Sequence, residues 1–468
     1  MEGRAVTDET LREECGVFGI VCGGDTAIDP AYAAYNALFA LQHRGQESAG
    51  IAVRKKGNLQ VRKQDGLVPE VFSRGALDQL MGAQAAIGHV RYAADDAGMG
   101  VIQPLLVHHT SGPMAICYNG RLANSHHLRM ETETRGGIFQ TNSDCEVISH
   151  ILVREHLRTN TLEDAILNAM HYMIGAYSLL VLSGKKLIAA RDPNGYRPLA
   201  IGKIGDSYAF ASESCAFDAL GGRLIRDVAP GEVVVVQDGI LTSHYCGIHA
   251  RTALCVFELI YFARSDSVLD GAAVDLARRQ AGACLASLNK AEADIVIGVP
   301  DSGLAAAMGF AEASGIPYAM GLVKNRYIPR TFIQPEQHTR EKAVHIKLNA
   351  MSAVVKGKRV IMVDDSIVRG TTCGRIVSLL REAGATEVHM KVSSPPFLNP
   401  CYFGTAIPDR SQLVACGKST EEICREIGAD SLQYLAVEDL KTVASNLRIG
   451  HCDACFTGDY AVPVPKED

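Results

Sequence analysis

The sequence lacks any apolar run of the roughly 20 residues that a helix needs to cross a bilayer. Its opening segment, MEGRAVTDETLREECGVFGI, is polar and acidic and has no apolar stretch before residue 15, so it does not read as a secretory signal. We therefore expect a cytoplasmic protein that has no membrane partner.

A large charge of one sign is also missing. The 46 Lys and Arg residues nearly balance the 52 Asp and Glu residues, which leaves a net charge of −6. Because nucleic-acid binding usually requires a broad basic surface, we expect no nucleic-acid partner. The composition, 47% hydrophobic and 21% charged, excludes disordered and collagen-like chains, and 468 residues suggest two or three domains.

Cysteine is too sparse for a disulfide scaffold, with 14 in 468 residues, yet more frequent than packing requires. In a reducing compartment, some of these thiols should be metal ligands or nucleophiles. Cys452 and Cys455 have the C-x₂-C spacing of a metal-binding pair. No second pair of this kind exists to complete a zinc ribbon, so any further ligands must lie far away in the sequence.

The periodicity of apolar residues changes along the chain, and we place a domain boundary between residues 245 and 246. The first part predicts a β-rich domain with strands at 15–21, 85–93 and 113–120, hairpins at 177–192 and 228–244, and helices at 30–42 and 143–156. The second part alternates helices (271–290, 303–314, 373–384) with strands (293–299, 358–363, 387–392), which indicates a parallel sheet.

The segment VIMVDDSIVRGTT (360–372) is the most informative local motif. A buried strand ends in Asp364 and Asp365, and a loop then leads into a helix N-terminus. Paired carboxylates can accept hydrogen bonds from vicinal ribose hydroxyls, while backbone N–H groups, hydroxyls and the helix dipole suit a phosphate. Gly370 allows close backbone approach. The motif predicts a site for a 5-phosphorylated ribose; the alternative is an acidic turn that caps a helix.

This motif resembles the signature of type I phosphoribosyltransferases. The resemblance implies that 5-phosphoribosyl diphosphate binds here, and that the loop GVPDSG (298–303), otherwise a common turn, holds its diphosphate. It also implies Mg²⁺ near Ser302, Asp364 and Asp365. The irregular segment 324–340 is a predicted lid over this pocket, with a solvated loop as the alternative. The implied binding residues are Asp301, Ser302, Asp364, Asp365, Ser366, Arg369, Gly370, Thr371 and Thr372.

Five further motifs occur in the first part: CGVFGIV (15–21), LQHRGQESAGIA (41–52), GHVRYA (88–93), YNGRLAN (118–124) and TNSDCEV (141–147). Together they resemble the glutaminase domain of the N-terminal-nucleophile (class II) glutamine amidotransferases. That resemblance implies that residues 1–14 are a removed leader and that Cys15 is the nucleophile. A free α-amino group, with a pKa near 7.7–8.0, is well suited as its general base. Taken alone, Cys15 would read as a buried strand residue.

The same resemblance implies roles for other residues. Asn119 and Gly120 would form the oxyanion hole, Arg91 would clamp the glutamine carboxylate, and Asp144 would accept its ammonium. Arg44, in the HRG loop beside the nucleophile, is also expected to bind glutamine. The sequence departs from the family pattern after RYA, where Ala94-Asp95-Asp96 replaces a hydroxyl residue followed by small residues.

The contexts of Cys255 (ALCVFELIYFARSD) and Cys401 (SSPPFLNPCYFG) resemble those of bacterial amidotransferases that carry a 4Fe–4S cluster. The resemblance implies that Cys255, Cys401, Cys452 and Cys455 are the four cluster ligands. A reduced surface pair is the alternative interpretation of the C-terminal cysteines.

The order of glutaminase motifs, phosphoribosyltransferase motif and cysteine pair resembles the glutamine phosphoribosylpyrophosphate amidotransferase family. It implies an N-terminal-nucleophile αββα four-layer sandwich followed by a parallel α/β domain, and the first step of de novo purine synthesis. Glutamine and 5-phosphoribosyl diphosphate would be the substrates, purine nucleotides the feedback inhibitors, and the assembly a homotetramer. Tyr261, Tyr327 and Ile333 would line an ammonia path between the two sites.

Two other interpretations remain open at this point. Another amidotransferase with the same glutaminase domain should lack VDDSIVRGTT, which this chain has. A non-catalytic, phosphoribosyltransferase-like purine sensor would not need Cys15, Asn119, Gly120 and Asp144 in front of its binding pocket.

Overall fold

The structure is a computed structural model that describes residues 15–24, 28–92, 102–325, 348–405, 407 and 410–464. Among these residues, no helix combines the length and the apolar character needed to cross a membrane. The strands of the first half are β1 (Gly16–Val21), β2 (Ser48–Lys55), β3 (Asn58–Asp65), β4 (Ala85–Arg91), β5 (Leu105–Val107), β6 (Met114–Leu122), β7 (Gly175–Ser183), β8 (Leu187–Arg191), β9 (Ala200–Ile204), β10 (Ser207–Ala211), β11 (Arg223–Asp227), β12 (Glu232–Gln237) and β13 (Ile240–Tyr245).

These strands form two antiparallel sheets. One sheet has seven strands in the order β11-β9-β10-β1-β4-β2-β3, and the other has six in the order β13-β12-β8-β7-β6-β5. Strand β1 is apolar on both faces, which explains its unbroken apolar sequence. Val17 and Val21 pack into the core between the two sheets, while Phe18 and Ile20 face the opposite side.

Helices cover the outer faces of both sheets. They are α1 (Pro30–Ala40), α2 (Val68–Val71), α3 (Arg74–Asp78), α4 (Ser125–Thr134), α5 (Asp144–His156), α6 (Leu162–Ala169) and α7 (Cys215–Asp218). Helix α1 packs on the seven-stranded sheet, and α5 and α6 pack on the six-stranded sheet. Asp29 and Ser143 accept hydrogen bonds from the first turns of α1 and α5, which fixes where these helices begin. The predicted αββα sandwich is confirmed.

The second half is built on a parallel sheet. The strands of the second half are β14 (Leu254–Cys255), β15 (Val268–Leu269), β16 (Ala272–Ala273), β17 (Ile295–Gly298), β18 (Leu322–Lys324), β19 (Leu348–Ala350), β20 (Arg359–Asp364), β21 (Glu387–Val392), β22 (Ser431–Tyr434) and β23 (His451–Cys452). Its helices are α8 (Val274–Ser287), α9 (Gly303–Ser314), α10 (Ser352–Val355), α11 (Thr371–Glu382), α12 (Thr420–Ile427), α13 (Leu440–Val443) and α14 (Ala454–Thr457).

The order of the parallel strands is β17-β20-β21-β22, and helices cover both faces of this sheet. Ile361 and Val363 of β20 pack with α8 and α9, whereas Val360 and Met362 pack with α11 and α12. The predicted parallel α/β architecture is therefore confirmed. Short helical turns of the 3₁₀ type complete the described chain at Gln42–Arg44, Arg410–Gln412, Val414–Cys416 and Val437–Asp439.

Several elements escaped the sequence analysis, among them the β2–β3 and β9–β10 hairpins, α6 and β22. The β2–β3 hairpin was not predicted, because β3 alternates exposed polar residues with half-buried ones and carries a weak apolar signal. A π-helical turn at Glu258–Phe262 was also missed. Its sequence, ELIYF, is as compatible with a strand as with a helix, so its conformation depends on the contacts that the junction between the two halves supplies.

Buried charges hold the two halves together. Arg191, at the end of β8, donates from Nη1 and Nη2 to the two carboxylate oxygens of Asp270, at 2.9 and 2.7 Å. Both side chains are almost inaccessible to solvent. Asp270 lies in the turn between β15 and β16 with a φ of 45°, a conformation that Asn and Asp tolerate better than most residues.

We predict that Asp270→Asn destabilises the protein by about 3–5 kcal/mol, because it removes the carboxylate that pairs directly with the buried Arg191. Asn tolerates the same backbone conformation, so the change tests the charge. Equilibrium urea unfolding measures the effect. Asp459→Asn breaks an exposed pair with Arg251 and should cost only about 0–1 kcal/mol. Equal effects of the two substitutions would contradict the prediction.

Candidate active site

Cys15 lies directly before β1, half-buried, at the edge where β1 meets β4. Gly16 pairs with Val90, so Cys15 is next to Arg91 at the end of β4. Its Sγ lies 3.9 Å from the carbonyl oxygen of Tyr92. Burial raises the pKa of the Cys15 thiol, and Arg91 and Arg44 only partly oppose this effect. The thiol therefore needs a nearby base before it can act as a nucleophile.

The side chain of Arg44 is inaccessible to solvent. Its Nε donates to the Cys15 carbonyl oxygen at 3.1 Å, and its terminal nitrogens donate to Glu213 and Glu258. The guanidinium therefore contacts acceptors within the protein and holds the backbone of Cys15, while the predicted contact of Arg44 with glutamine remains a prediction.

Asn119 and Gly120 lie side by side on β6, in the sheet that faces β1. Asn119 is 2% exposed, and its amide nitrogen has no hydrogen-bond partner among the described residues. A buried donor without an acceptor is costly and suits an oxygen that arrives with the substrate. Gly120 has a φ of 141°, and a Cβ there would lie 2.0 Å from the Ala176 carbonyl oxygen, so no other residue fits.

Asp144 is the first residue of α5 and faces the same strand. One carboxylate oxygen accepts from the backbone N–H of Leu122 at 2.8 Å and from the hydroxyl of Tyr118 at 3.0 Å. The other accepts from the hydroxyl of Ser125. Burial is the main reason why the pKa of Tyr118 is raised, and Asp144 and then Cys15 raise it further. Cys15 and Asp144 therefore both lie close enough to the Tyr118 phenol to influence its ionisation. The structure thus brings Cys15, Asn119, Gly120 and Asp144 together.

Sequence analysis missed two side chains that support β6. The side-chain amide of Gln103 donates to the carbonyl oxygen of Tyr118 at 3.2 Å and accepts from the backbone N–H of Tyr118 at 2.6 Å. It thus makes the same pair of hydrogen bonds with β6 that the backbone of a neighbouring strand would make. His89 lies 3.2 Å from the same carbonyl oxygen. Both residues fix the backbone beside Asn119. The GHVRYA motif contains His89, but an apolar-flanked histidine gives no signal for this contact.

The second site lies at the carboxyl end of β20. Asp364 and Asp365 are both buried; the side chain of Asp365 accepts from the hydroxyls of Ser302 and Ser366, the latter at 2.5 Å. Burial raises the pKa of both carboxyls, and for Asp364 the neighbouring Asp365 raises it further. The pair is therefore short of positive charge, and hydroxyl-bearing or cationic ligands would relieve it.

The loop after this pair ends at the N-terminus of α11. Gly370 has a φ of 90° and precedes Thr371 and Thr372, whose side chains are exposed. Among the described residues, no group accepts from the backbone N–H of either threonine. Arg369 contacts Gln412 at 2.5 Å, and Asp301 forms an ion pair with Lys324 at 2.7 Å. The loop thus presents open N–H donors and a helix dipole beside the acidic pair.

The four predicted cluster cysteines lie close together at the junction of the two halves. Strands β14 and β23 pair in parallel, with Cys255 opposite Cys452. Burial raises the pKa of both thiols to about 12, and every one of the six pairs among Cys255, Cys401, Cys452 and Cys455 interacts electrostatically. Four thiols grouped in this way form a soft donor set that suits iron–sulfur or zinc chemistry.

No group of three or more His, Cys, Asp or Glu side chains among the described residues converges closely enough to hold a single metal ion. The iron–sulfur assignment therefore rests on the proximity of the thiols. Tyr261 lies half-buried in the π-helical turn, against Phe257 and Phe262. Tyr327, Ile333, residues 94–96 and the leader 1–14 lie outside the described residues, so the predictions made for them remain predictions.

Comparison with known proteins defines the class first. The profile of a glutamine amidotransferase domain matches residues 89–219, and that of a phosphoribosyl transferase domain matches residues 265–394. The chain is therefore an enzyme that joins these two domains.

The particular family follows from full-length relatives. The chain is 48% identical over 464 residues to the amidophosphoribosyltransferase of Bacillus subtilis, covering 98% of this chain and 96% of the relative. It is 45% identical to that of Archaeoglobus fulgidus, covering 97% and 99%. The solved structure of B. subtilis glutamine phosphoribosylpyrophosphate amidotransferase with ADP and GMP superimposes with a TM-score of 0.89 at 47% identity, over 97% of this chain and 98% of that one.

This chain belongs to the amidophosphoribosyltransferase family, which catalyses the first step of purine biosynthesis. The predicted family, fold and enzyme class are confirmed. The two alternatives, a different amidotransferase and a non-catalytic sensor, are disfavoured because the full-length relatives share both domains and carry this enzyme's name.

We predict that His89→Gln makes the protein less sensitive to acid. Burial, then Arg91, lowers the pKa of His89 from 6.5 to about 3. The unfolded chain takes up this proton below pH 6.5 and the folded chain does not, so stability present above pH 6.5 is lost as the pH falls. Between pH 7 and pH 5 this histidine should account for about 2 kcal/mol.

Urea unfolding at the two pH values measures the difference between the wild type and the variant. The exposed His171→Gln is the matched control and should leave the pH dependence unchanged. An unaltered acid sensitivity in His89→Gln would show that other groups carry it.

Proposed function

We propose that residues 15–245 hydrolyse glutamine and that residues 246–468 transfer the ammonia to 5-phosphoribosyl diphosphate. The products are 5-phosphoribosylamine, glutamate and diphosphate, and one water is consumed. The observation that carries this proposal is the presence of two features on one chain: the Asn119 amide on β6, which has no hydrogen-bond partner among the described residues, and the buried Asp364–Asp365 pair, whose pKa values are raised. Each site lacks what one of the two substrates would supply.

In the first half-reaction, removal of residues 1–14 would free the α-amino group of Cys15. That amine takes the thiol proton, and the thiolate attacks the side-chain carbonyl carbon of glutamine. The oxyanion accepts hydrogen bonds from the Asn119 amide and the Gly120 N–H. Ammonia leaves with the returned proton, and water then cleaves the thioester to glutamate. Arg91 and Asp144 hold the carboxylate and the ammonium of the substrate.

In the second half-reaction, Asp364 and Asp365 accept hydrogen bonds from the ribose hydroxyls. The N–H groups and hydroxyls of the 366–372 loop hold the 5-phosphate, with Asp301 and Ser302 near the diphosphate. Ammonia attacks C1 of the ribose as diphosphate leaves. Ser302, Asp364 and Asp365 are oxygen donors that suit Mg²⁺, and their uncompensated charge fits a divalent cation. When bound, the ion would neutralise charge on the leaving diphosphate.

We also propose that Cys255, Cys401, Cys452 and Cys455 hold a 4Fe–4S cluster with a structural role. Neither half-reaction moves electrons, and the thiols connect the C-terminal segment to the junction through the β14–β23 pair. When bound, the cluster would cross-link chain segments about 200 residues apart and so restrict the unfolded state.

Regulation, assembly and the ammonia path belong to the same proposal. The B. subtilis structure is a complex with ADP and GMP. A purine mononucleotide carries the same 5-phosphoribosyl group as the substrate, so we expect such nucleotides to compete at the 364–372 loop.

We expect a cytoplasmic homotetramer. We assign Tyr261 to the wall of the ammonia path, together with Tyr327 and Ile333.

The two sites predict separable activities. Cys15→Ala should abolish glutamine-dependent synthesis and leave synthesis from high external ammonia intact, since the sugar-phosphate site is untouched. Assays of both activities, with an intact mass that shows whether the chain begins at Cys15, make the test. Loss of both activities in a folded variant would refute the separation.

Asp365→Asn is the reciprocal variant in that experiment. It should weaken binding of 5-phosphoribosyl diphosphate by about 10- to 100-fold, the cost of losing hydrogen bonds to a charged group. Its Cys15 should still react with a glutamine analogue. Unchanged affinity for the sugar diphosphate would remove the acidic pair from the proposed site.

For the cluster, we predict that Cys452→Ser yields colourless protein with a lower melting temperature. Anaerobically purified wild-type protein should contain about four iron atoms and as many acid-labile sulfides per chain. Cys424→Ser, a half-buried cysteine of α12, is the matched control and should keep both. Zinc without labile sulfide in the wild type would refute the iron–sulfur assignment.

A further inference from the structure

The Arg44 guanidinium connects the two halves of the chain at the nucleophile. Its Nη1 donates to Glu213 at 2.7 Å and to Glu258 at 2.9 Å, and its Nη2 donates to Glu258 at 2.7 Å. Its Nε holds the Cys15 carbonyl oxygen at 3.1 Å. All three charged side chains are inaccessible to solvent. One rigid fork therefore links the residue before β1 to a carboxylate in the second half of the chain.

Both carboxylates are themselves fixed by the second half. Glu258 is the first residue of the π-helical turn and also lies 3.6 Å from Arg197. Glu213 accepts from the backbone N–H of Arg264 at 2.9 Å and from the hydroxyl of Ser267 at 2.6 Å. His43 of the first half also lies 2.7 Å from Glu213, so the segment from residue 258 to residue 267 contributes to the position of Arg44 together with the first half.

These contacts affect the position of the reactive groups because the proposed nucleophile would be the first residue of the mature chain. Once residues 1–14 are removed, Cys15 has a neighbour on one side only, and its carbonyl group is the fixed point nearest to its reactive atoms. A guanidinium held in two directions restricts that carbonyl far better than a flexible cation would. Loss of one anchor lets the thiol and α-amine move relative to Asn119 and Gly120.

We propose that Glu258 is a positioning residue for the Cys15 nucleophile and acts through Arg44. The second half of the chain thereby completes the glutaminase site, and any displacement of the π-helical turn moves an acceptor of Arg44. Tyr261 follows Glu258 by one turn in the same segment, so the residue assigned to the ammonia path and the anchor of the nucleophile move together. This inference rests on the proposed role of Cys15.

The test compares two isosteric changes at the junction in the full-length, mature enzyme. Glu258→Gln should lower the kcat of glutamine hydrolysis by about 10- to 100-fold, the cost of a misplacement of about 1 Å. The KM for glutamine should stay within about twofold because Arg91 and Asp144 are untouched. Ammonia-dependent synthesis should also stay within about twofold. The rate of Cys15 alkylation by iodoacetamide should change with kcat.

Asp270→Asn is the matched control. It removes a carboxylate from a second buried arginine pair at the same junction, but Arg191 does not contact Cys15. It should lower the melting temperature while leaving kcat and the alkylation rate unchanged. A parallel loss of glutaminase in both variants would mean that junction stability alone matters, and this would overturn the proposal.

Arg44→Lys provides a second variant if Glu258→Gln does not fold. Lysine keeps the charge but cannot reach three acceptors in fixed directions. A folded Arg44→Lys enzyme with wild-type kcat and alkylation rate would overturn the proposal. If Cys15→Ala instead retained glutaminase activity, the proposed nucleophile itself would fail, whatever the Glu258 variants showed.

Discussion

Arg44 brings a full positive charge into a region without solvent, between the two halves of the chain, and the junction is arranged around that charge. Burial alone would strongly disfavour it, but Glu258 and Glu213 outweigh this cost and raise the pKa of Arg44. Glu213 is also buried, but His43 and then Arg44 outweigh this effect and hold the pKa of Glu213 below its ordinary range. Each group is stable in its position only while the others are present.

These buried charges join the two halves of the chain. The large apolar cores around α1, α5 and β20 each lie within one half, while a smaller apolar cluster that includes Tyr196 and Phe403 spans the junction. Buried ion pairs with specified directions add to this apolar contact. Apolar surfaces could slide past one another at little cost, whereas a bidentate arginine pair permits one register. The junction therefore supplies orientation as well as stability.

The sequence predicted those parts of the molecule whose causes are local. The apolar run of β1, the helix that begins near residue 143 and the acidic pair at the end of β20 each depend on neighbouring residues, and their positions were correct. The partners of Arg44 lie 169 and 214 residues away, so its burial could not be read from the HRG motif. Gln103 and His89 escaped notice because their role is to hold the backbone of β6.

Each of the two sites contains a buried polar group that the described residues leave incompletely satisfied: a hydrogen-bond donor at one site and a pair of carboxyl groups at the other. Among the described residues, the buried amide nitrogen of Asn119 has no acceptor. At the end of β20, burial raises the pKa of both Asp364 and Asp365, and Arg278 only partly offsets this effect for Asp365. Both deficits cost stability in the absence of ligand. Under the proposed function, a developing oxyanion would relieve the first, and a sugar with its metal ion would relieve the second. Because the contacts at Arg44 and Arg191 fix the surrounding backbone, the chain can keep both deficits without collapsing around them.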